Sequence, residues 1–315
     1  MRISKFNDNF ITLINQSQRI VRTIKKHPDR INKLHPSSFP YCPLRHAYEK
    51  FSSEAGIQDF NFASDLYMRM GTLVHKIFQD WTAKAAFELE KDKDFEIEIL
   101  GNWRCPKCKT TRNLKPYSTC PTCGSAMKYC EIPVDWNPIS GHIDLVLKYK
   151  QWCVILDYKS ISSLRLLSHN NNPAASTLPE KSHKAQVETY CVLFEKEYSK
   201  VLKGCTVLGW ILFYISRDDP LHINQPFYHQ LSEHDKSNIR KKLKKYRKHF
   251  KLALAAKNFF DFKELIKIKP CPNKEFYMDN FHSPYSPCPL GMSGVCFDRK
   301  RLVNRIKKVV EKDRT

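Results

Sequence analysis

Two apolar runs joined by a short polar turn constrain the fold of this chain more than any other feature. In the first run, residues 142–147, an apolar side chain recurs at every second position, which is the pattern of a half-buried strand. The second run, Trp152 to Leu156, is continuously apolar, and residues 149–151 separate the two runs. The pattern predicts an antiparallel β-hairpin.

Three ionisable side chains lie at the open end of this predicted hairpin. Asp144 is expected almost opposite Asp157, roughly 5 Å away. Lys159 follows Asp157 by two positions, so it points to the same face of the strand. Two carboxylates this close repel each other unless a cation separates them, and their hard oxygen atoms suit magnesium or manganese better than zinc.

Such an ion would polarise a phosphate oxygen and activate water, while Lys159 would stabilise the extra negative charge of a transition state. The three residues therefore indicate phosphodiester cleavage. A surface hairpin with an ordinary Asp–Lys ion pair is the alternative that this pattern alone leaves open.

Two further motifs lie on predicted helices before and after the hairpin. His75 ends the sequence Gly71-Thr-Leu-Val-His75, and it falls on the opposite side of its helix from an apolar stripe. Gln186 and Tyr190 are four residues apart, so they share one face of a later helix. The apolar stripe consists of Leu66, Met70, Leu73, Ile77 and Trp81.

In this order the motifs resemble those of the PD-(D/E)xK nuclease superfamily and, within it, of RecB-like exonucleases such as the AddB nuclease domain and the CRISPR-associated adaptation exonucleases. The family pattern is a histidine on an early helix, a Gly-x-x-Asp strand, an Asp-x-Lys on the next strand and a Gln-x-x-x-Tyr on the following helix. The resemblance implies an α/β fold with a restriction-endonuclease-like core, in which a mixed central sheet is flanked by helices.

The resemblance also implies a role for each motif residue. Gln186 and Tyr190 would position the substrate backbone. The magnesium or manganese ligands would be His75, Asp144, Asp157 and the carbonyl oxygen of Tyr158. The catalytic residues would be Asp144, Asp157, Lys159 and His75.

Twelve cysteines, without a secretory signal peptide or an apolar run of membrane length, indicate a reducing compartment, and we expect a cytoplasmic, nucleic-acid-associated protein. Cys105-Pro-Lys-Cys108 and Cys120-Pro-Thr-Cys123 are separated by eleven residues, the spacing of a tetrahedral zinc ribbon. We interpret the ribbon as a structural staple that zinc holds together. Its basic residues leave a substrate role open: Lys107, Lys109, Arg112, Lys115 and Lys128.

A second feature of RecB-like nucleases is matched by four other cysteines: Cys42, Cys271, Cys288 and Cys296. By resemblance, one early and three late cysteines would hold a 4Fe-4S iron-sulfur cluster that pins the two ends of the chain together. Proline follows three of the four, as is frequent at cluster ligands. Their spacings are wider than the compact late triplet of the family, so a second zinc site or buried thiols are the alternatives.

The charge of the chain indicates a polyanionic partner. It has 53 Lys and Arg against 32 Asp and Glu, a formal net charge of +21. Two predicted basic amphipathic helices, residues 239–250 and 299–308, carry much of the excess, and Ser232 with Asp235 forms a capping box before the first. We expect DNA, single-stranded or with a free end, as the partner, together with a helicase or recombination protein, and no membrane.

One elaborated domain, residues 1–315, accounts for this order of motifs. Its parts are an N-terminal helical part (1–95), a zinc-ribbon insertion (100–130), a catalytic core (131–220) that includes a buried strand over 207–215, and basic C-terminal helices with the late cysteines (230–315).

The sequence thus predicts a divalent-metal-dependent deoxyribonuclease, specifically an exonuclease or end-processing nuclease of recombination, replication or repair. A structure-selective endonuclease and a catalytically weak nucleic-acid-binding scaffold are the alternatives that the sequence leaves open.

Overall fold

The structure is a computed structural model, and it describes residues 33, 35–38, 62–89, 96–116, 118–173, 176–202, 204–219 and 226–255. The chain divides into two compact units: residues 1–32, 41–68 and 249–315 form one, and residues 33–40 and 69–248 form the other. The second unit contains all the described strands and the predicted catalytic residues.

The described strands are β1 (Glu98–Arg104), β2 (Thr111–Pro116), β3 (Lys128–Cys130), β4 (Ile132–Trp136), β5 (Ile139–Ile143), β6 (Leu145–Tyr149), β7 (Trp152–Ile161), β8 (Thr206–Ser216) and β9 (Pro226–Gln230). Seven of them form one mixed sheet in the order β2-β1-β6-β7-β8-β9, with β3 paired to β1, while β4 and β5 form a separate two-stranded sheet. In the mixed sheet β7 and β8 are parallel, and the other neighbours are antiparallel.

The predicted hairpin is present as β6 and β7, whose register runs from Tyr149 opposite Trp152 to Leu145 opposite Leu156. Its first strand differs from the prediction because the chain bends at Asp144. Residues before the bend belong to β5, which pairs with β4 instead. The alternating pattern of residues 142–147 therefore spans two short strands rather than one.

The described helices confirm two predictions. The helix that carries Gln186 and Tyr190 is present, and the capping box holds, since the hydroxyl of Ser232 and the carboxylate of Asp235 each accept a hydrogen bond from the other residue's backbone N–H. A 3₁₀ turn spans Pro36–Ser38. The helices are α1 (Phe62–Leu89), α2 (Ser163–Asn171), α3 (Lys181–Tyr198) and α4 (Glu233–Ala255).

The alternation of side chains along β7 explains how two helices flank the sheet. Tyr158 packs against Phe78 of α1, with ring centroids 5.7 Å apart. Lys159 points to the other face, where its partner in register is Tyr214, and the hydroxyl of Tyr214 contacts His183 of α3. This arrangement confirms the predicted α/β fold with a mixed central sheet flanked by helices.

The four cysteines of the predicted ribbon lie on loops of the central sheet itself. Strand β1 pairs with β2 and β3 at one end and with β6 at the other. Cys105 and Cys120 are buried in one apolar cluster with Trp103, Met127 and Leu145. The ribbon therefore packs directly on the strand that follows Asp144.

The predicted iron-sulfur ligands Cys42, Cys271, Cys288 and Cys296, and the basic segment 299–308, lie outside the described residues. None of the helices in the described part of the chain is long and apolar enough to cross a membrane.

Candidate active site

Asp144 lies at the bend between β5 and β6 and is only 6% exposed. Its Oδ2 atom accepts a hydrogen bond of 2.8 Å from the backbone N–H of Tyr158, and it lies 3.3 Å from Nδ1 of His75. Its Oδ1 atom accepts a longer hydrogen bond, 3.5 Å, from Gln79, which also donates to Glu131 at 3.0 Å. Helix α1 and strand β7 thus hold this carboxylate between them.

Asp157 is 2% exposed, and its Oδ2 atom lies 2.6 Å from Nζ of Lys159. The ammonium group of Lys159 is thus the close partner of this carboxylate oxygen. Burial raises the pKa of Asp157 to about 6; the positive charge of Lys159 opposes this shift, and the charge of Asp144 adds to it. Because both aspartates are buried, the alternative of a surface hairpin with an ordinary ion pair does not hold.

Helix α1 turns the side that carries His75, Phe78 and Gln79 toward the sheet. His75 lies away from the apolar stripe, as the sequence predicts, but it is the His75 and Gln79 side that contacts Asp144. In the stripe, Leu73 is 59%, Ile77 36% and Trp81 57% exposed. Periodicity therefore distinguishes the two sides of this helix, but it does not predict which side packs on the sheet.

The environment of His75 favours its charged form. Burial lowers its pKa, but the neighbouring Asp144 outweighs this effect and raises the pKa above the ordinary value. One turn earlier, a Cβ atom on Gly71 would lie 3.1 Å from the hydroxyl oxygen of Ser160. The glycine of this motif therefore lets α1 approach β7 closely enough for His75 to reach Asp144.

Gln186 and Tyr190 act as a pair on α3. Nε2 of Gln186 donates a hydrogen bond of 3.1 Å to the hydroxyl of Tyr190. Tyr190 is 5% exposed, and burial raises its pKa well above the ordinary value. Tyr190 is therefore a buried residue that orients Gln186, while Gln186 is partly exposed.

His183 lies one turn before Gln186 on α3, and the sequence did not predict it as a site residue. Its Nδ1 atom lies 3.0 Å from the hydroxyl of Tyr214, and the same hydroxyl accepts a hydrogen bond from the backbone N–H of Glu180. The hydroxyl of Tyr214 therefore bridges His183 and the backbone of Glu180 at the start of α3. Burial lowers the pKa of His183 well below its usual range, and the positive charge of Lys159 contributes.

Signals for some of these missed residues are visible in the sequence. Gln79 follows His75 by four positions and His183 precedes Gln186 by three, so helical spacing places each beside a motif residue. Glu131 gives no such signal, because it joins the site through tertiary contact with Gln79.

The four cysteines of the ribbon form a group that can hold a metal ion. Their sulfur atoms all lie within 4.8 Å of one another, with contacts of 3.4, 3.5 and 3.7 Å. Hydrogen bonds from Thr110 lower the pKa of Cys108 to about 6. Across the described residues, the donors of His75, Asp144 and Asp157 do not form a group that is as tight.

Two solved structures align with most of the chain at low sequence identity. The crystal structure of SSO0001 is 17% identical, and the alignment covers 75% of this chain and 82% of that one, with a TM-score of 0.33. The crystal structure of an alkaline exonuclease, LHK-Exo from Laribacter hongkongensis, is 10% identical and covers 70% and 89%, with a TM-score of 0.36. No curated protein matches the chain.

The model of one protein family matches residues 36–273, a range that includes both aspartates, Lys159 and the flanking motifs of α1 and α3. Because this match covers well over half of the sequence, the chain belongs to the PD-(D/E)XK nuclease superfamily.

Proposed function

We propose that the protein is a divalent-metal-dependent deoxyribonuclease, and specifically a RecB-like exonuclease or end-processing nuclease. The observation that carries this proposal is the juxtaposition of two buried carboxylates, Asp144 and Asp157, with the ammonium group of Lys159 at the open end of a hairpin. Burying two carboxylates this close together lowers the stability of a fold, but it creates a negatively charged pocket that a cation can occupy.

The residues present fit magnesium or manganese. Two buried carboxylates, an imidazole and a backbone carbonyl oxygen form a donor set that suits a hard divalent cation. The ion would be held by Asp144, Asp157, the carbonyl oxygen of Tyr158 and His75, whose imidazole would have to give up its proton to bind. When bound, it supplies a Lewis acid for the phosphate and a water of lowered pKa.

The protein's own side chains prepare the site for this chemistry. Gln79 and the backbone N–H of Tyr158 fix the Asp144 carboxylate. Lys159 is 13% exposed beside Asp157, where its ammonium group can stabilise negative charge that develops on the phosphate. Gln186, oriented by Tyr190, would donate a hydrogen bond to the substrate backbone.

We also propose zinc as the ion of the four-cysteine group. A tetrahedral site with zinc–sulfur bonds of about 2.3 Å has sulfur atoms about 3.8 Å apart. The contacts of 3.4 to 3.7 Å are close to that value, and they are too short for an iron-sulfur cluster, whose ligands are spread over several iron atoms. The 4Fe-4S cluster is proposed instead for Cys42, Cys271, Cys288 and Cys296.

The net charge of +21 supports DNA as the substrate, with a single-stranded segment or a free end presented by a helicase or recombination partner. Polyanionic DNA also explains the exposed lysines along α4.

The test is a cleavage assay with anaerobically purified protein and labelled single-stranded, duplex, flapped and circular DNA, with magnesium or manganese. We expect linear ends to be degraded and circles to survive. Asp157→Asn and Lys159→Ala should each reduce cleavage by at least about a hundredfold. The matched control is Lys148→Ala, because Lys148 forms an ion pair with Glu98 at the far end of the same hairpin.

Equal cleavage by the wild-type protein and both active-site variants would reject the mechanism. Cleavage of circles at the same rate as linear DNA would replace the exonuclease with an endonuclease. Iron analysis and a broad visible absorption band, lost in Cys288→Ser, test the cluster, and a colourless, iron-free protein would reject it.

A further inference from the structure

The cysteine-containing segment from Gly101 to Cys130 has an unusual charge distribution. It includes six basic residues and no Asp or Glu. None of the six forms an ion pair with a described carboxylate, and five of them are exposed, Arg112 being partly buried. A zinc ion with four thiolates would carry two negative charges and offset only two of these cations. The six are Arg104, Lys107, Lys109, Arg112, Lys115 and Lys128.

Two of these cations are direct neighbours. Arg104 of β1 and Lys128 of β3 are partners in register on antiparallel strands. Their Cβ atoms are therefore roughly 5 Å apart, and like charges placed directly opposite each other destabilise a sheet. Among the described residues no carboxylate relieves this repulsion, whereas a bound phosphate group would.

The sheet register gives the position of this pair relative to the candidate active site. Strand β1 runs antiparallel to β6, with Glu98 opposite Lys148 and Leu100 opposite Val146. Moving along β1 toward Arg104 therefore means moving along β6 toward Asp144. The basic segment extends from the end of the sheet that carries the aspartates, and the hairpin turn lies at the other end.

The side-chain alternation also gives the face. Leu100 is the partner of Val146, which in turn is the partner of Ile155 on β7. Arg104 lies four residues beyond Leu100, and Lys159 four residues beyond Ile155. Both belong to the same face of the sheet, because Trp103, the residue before Arg104 and beyond the irregularity in the β1–β2 pairing, packs with Leu145 and Leu156 on the opposite face.

We infer that the ribbon is an arm that binds the phosphate backbone of the nucleic-acid strand cleaved at the aspartates, an inference that rests on the proposed nuclease function. Its buried half, with Cys105 and Cys120, anchors the arm to the sheet. Its exposed half presents the cations, with Arg104 and Lys128 as the central pair. A purely structural staple would explain the cysteines and leave the charges without a role.

The test compares the double variant Arg104→Gln/Lys128→Gln with the control Lys150→Gln/Lys200→Gln. Lys150 and Lys200 are exposed cations at the opposite end of the sheet, in the hairpin turn and between α3 and β8. Binding of a short fluorescent single-stranded oligonucleotide is measured against salt concentration, with calcium in place of magnesium to prevent cleavage. Zinc content and melting temperature are measured on the same samples.

We expect weaker binding by the arm variant, with a salt slope that is smaller by about 1.4, because each lost phosphate contact on a single strand removes about 0.7. Zinc content should match that of the wild type, and the melting temperature should stay the same or rise, because the variant also removes the Arg104–Lys128 repulsion. The control variant should keep the full slope. An arm variant with the slope of the control would overturn the inference.

The outcome is separable from that of the proposed function. Binding is measured with calcium and without cleavage, so the slope of the arm variant reports on the arm whether or not the protein cuts DNA. If the wild-type protein does not cleave DNA but the arm variant still has a smaller salt slope, the arm inference stands and the proposed nuclease function fails. If the wild-type protein cleaves DNA but the arm variant has an unchanged salt slope, the nuclease function stands and the arm inference fails.

Discussion

The ring of Tyr190 packs so closely on Gly141 that a Cβ atom at Gly141 would lie 2.8 Å from Cε1 of the ring. The ring of Pro36 approaches the same position, at 2.9 Å from its Cδ. The glycine of the Gly-x-x-Asp motif is therefore a packing requirement, and it connects the strand that leads into Asp144 to the helix residue that orients Gln186.

The first prediction follows from this contact. Gly141→Ala should destabilise the protein by about 1 to 3 kcal/mol, because two rigid rings must move to admit one methyl group. Chemical denaturation measures this change, and the neighbouring substitution Ser140→Ala is the control. An alanine variant as stable as the wild type would mean that Tyr190 does not pack on this backbone.

The second prediction concerns Gln79, which donates to both Asp144 and Glu131. Gln79→Leu should reduce metal-dependent cleavage by about 10- to 100-fold, which is typical when a residue that orients a metal ligand is lost. The reduction should appear as a higher magnesium requirement. The exposed neighbour Asp80 provides the control variant Asp80→Asn, and equal magnesium titrations for both variants would refute the role of Gln79.

The hairpin could be predicted from sequence because its determinants are local. Turn length fixes the register of two adjoining strands, so Asp144 and Asp157 must meet at the open end. The bend at Asp144 could not be predicted in this way. It depends on β5 leaving the sheet to pair with β4, and the residues around the bend are apolar on both sides.

Helix α1 shows where sequence patterns reach their limit. A helical stripe such as Leu73, Ile77 and Trp81 ordinarily packs on a core, yet here it is exposed. The inward side carries His75 and Gln79, which contact Asp144, together with Phe78, which packs on Tyr158. Polar contacts with a buried carboxylate depart from the usual pattern of apolar burial, and periodicity alone cannot identify where this happens.

The third prediction is a pH dependence due to His183. Its pKa in the folded state is depressed by burial, so the unfolded chain takes up the proton more readily than the folded protein does. The contribution of neutral His183 to the free energy of unfolding is therefore fully present above the ordinary histidine pKa of 6.5, and it is lost as the pH falls below that value. Melting temperatures over this range should fall less for His183→Asn than for the wild type. The same substitution at the exposed His142 should leave the wild-type profile in place.

The fourth prediction concerns the ribbon. Cys120→Ser should reduce the zinc content from about one ion per chain to none, since a tetrahedral site requires all four ligands. Because Cys120 shares an apolar cluster with Leu145, amide exchange should accelerate in β6 as well as in β1. Cys205→Ser is the control, as this partly buried cysteine lies outside the group and outside the strands of the hairpin. Faster exchange confined to the ribbon loops would show that the metal does not support the hairpin.

The fifth prediction separates two kinds of cation within the basic helix α4. Lys236 is 1% exposed and contacts Glu195 at 2.7 Å and Glu233 at 2.9 Å, whereas Lys245 is exposed. Lys236→Met should cost about 1 to 3 kcal/mol of stability, because it removes the buried ammonium group that donates charged hydrogen bonds to Glu195 and Glu233. It should not change the salt slope of oligonucleotide binding.

Lys245→Met should leave stability unchanged and reduce the salt slope of binding by about 0.7, because it removes a cation that contacts a phosphate from the exposed side of α4. Identical slopes for the two variants would show that the charge of this helix serves solubility rather than DNA binding.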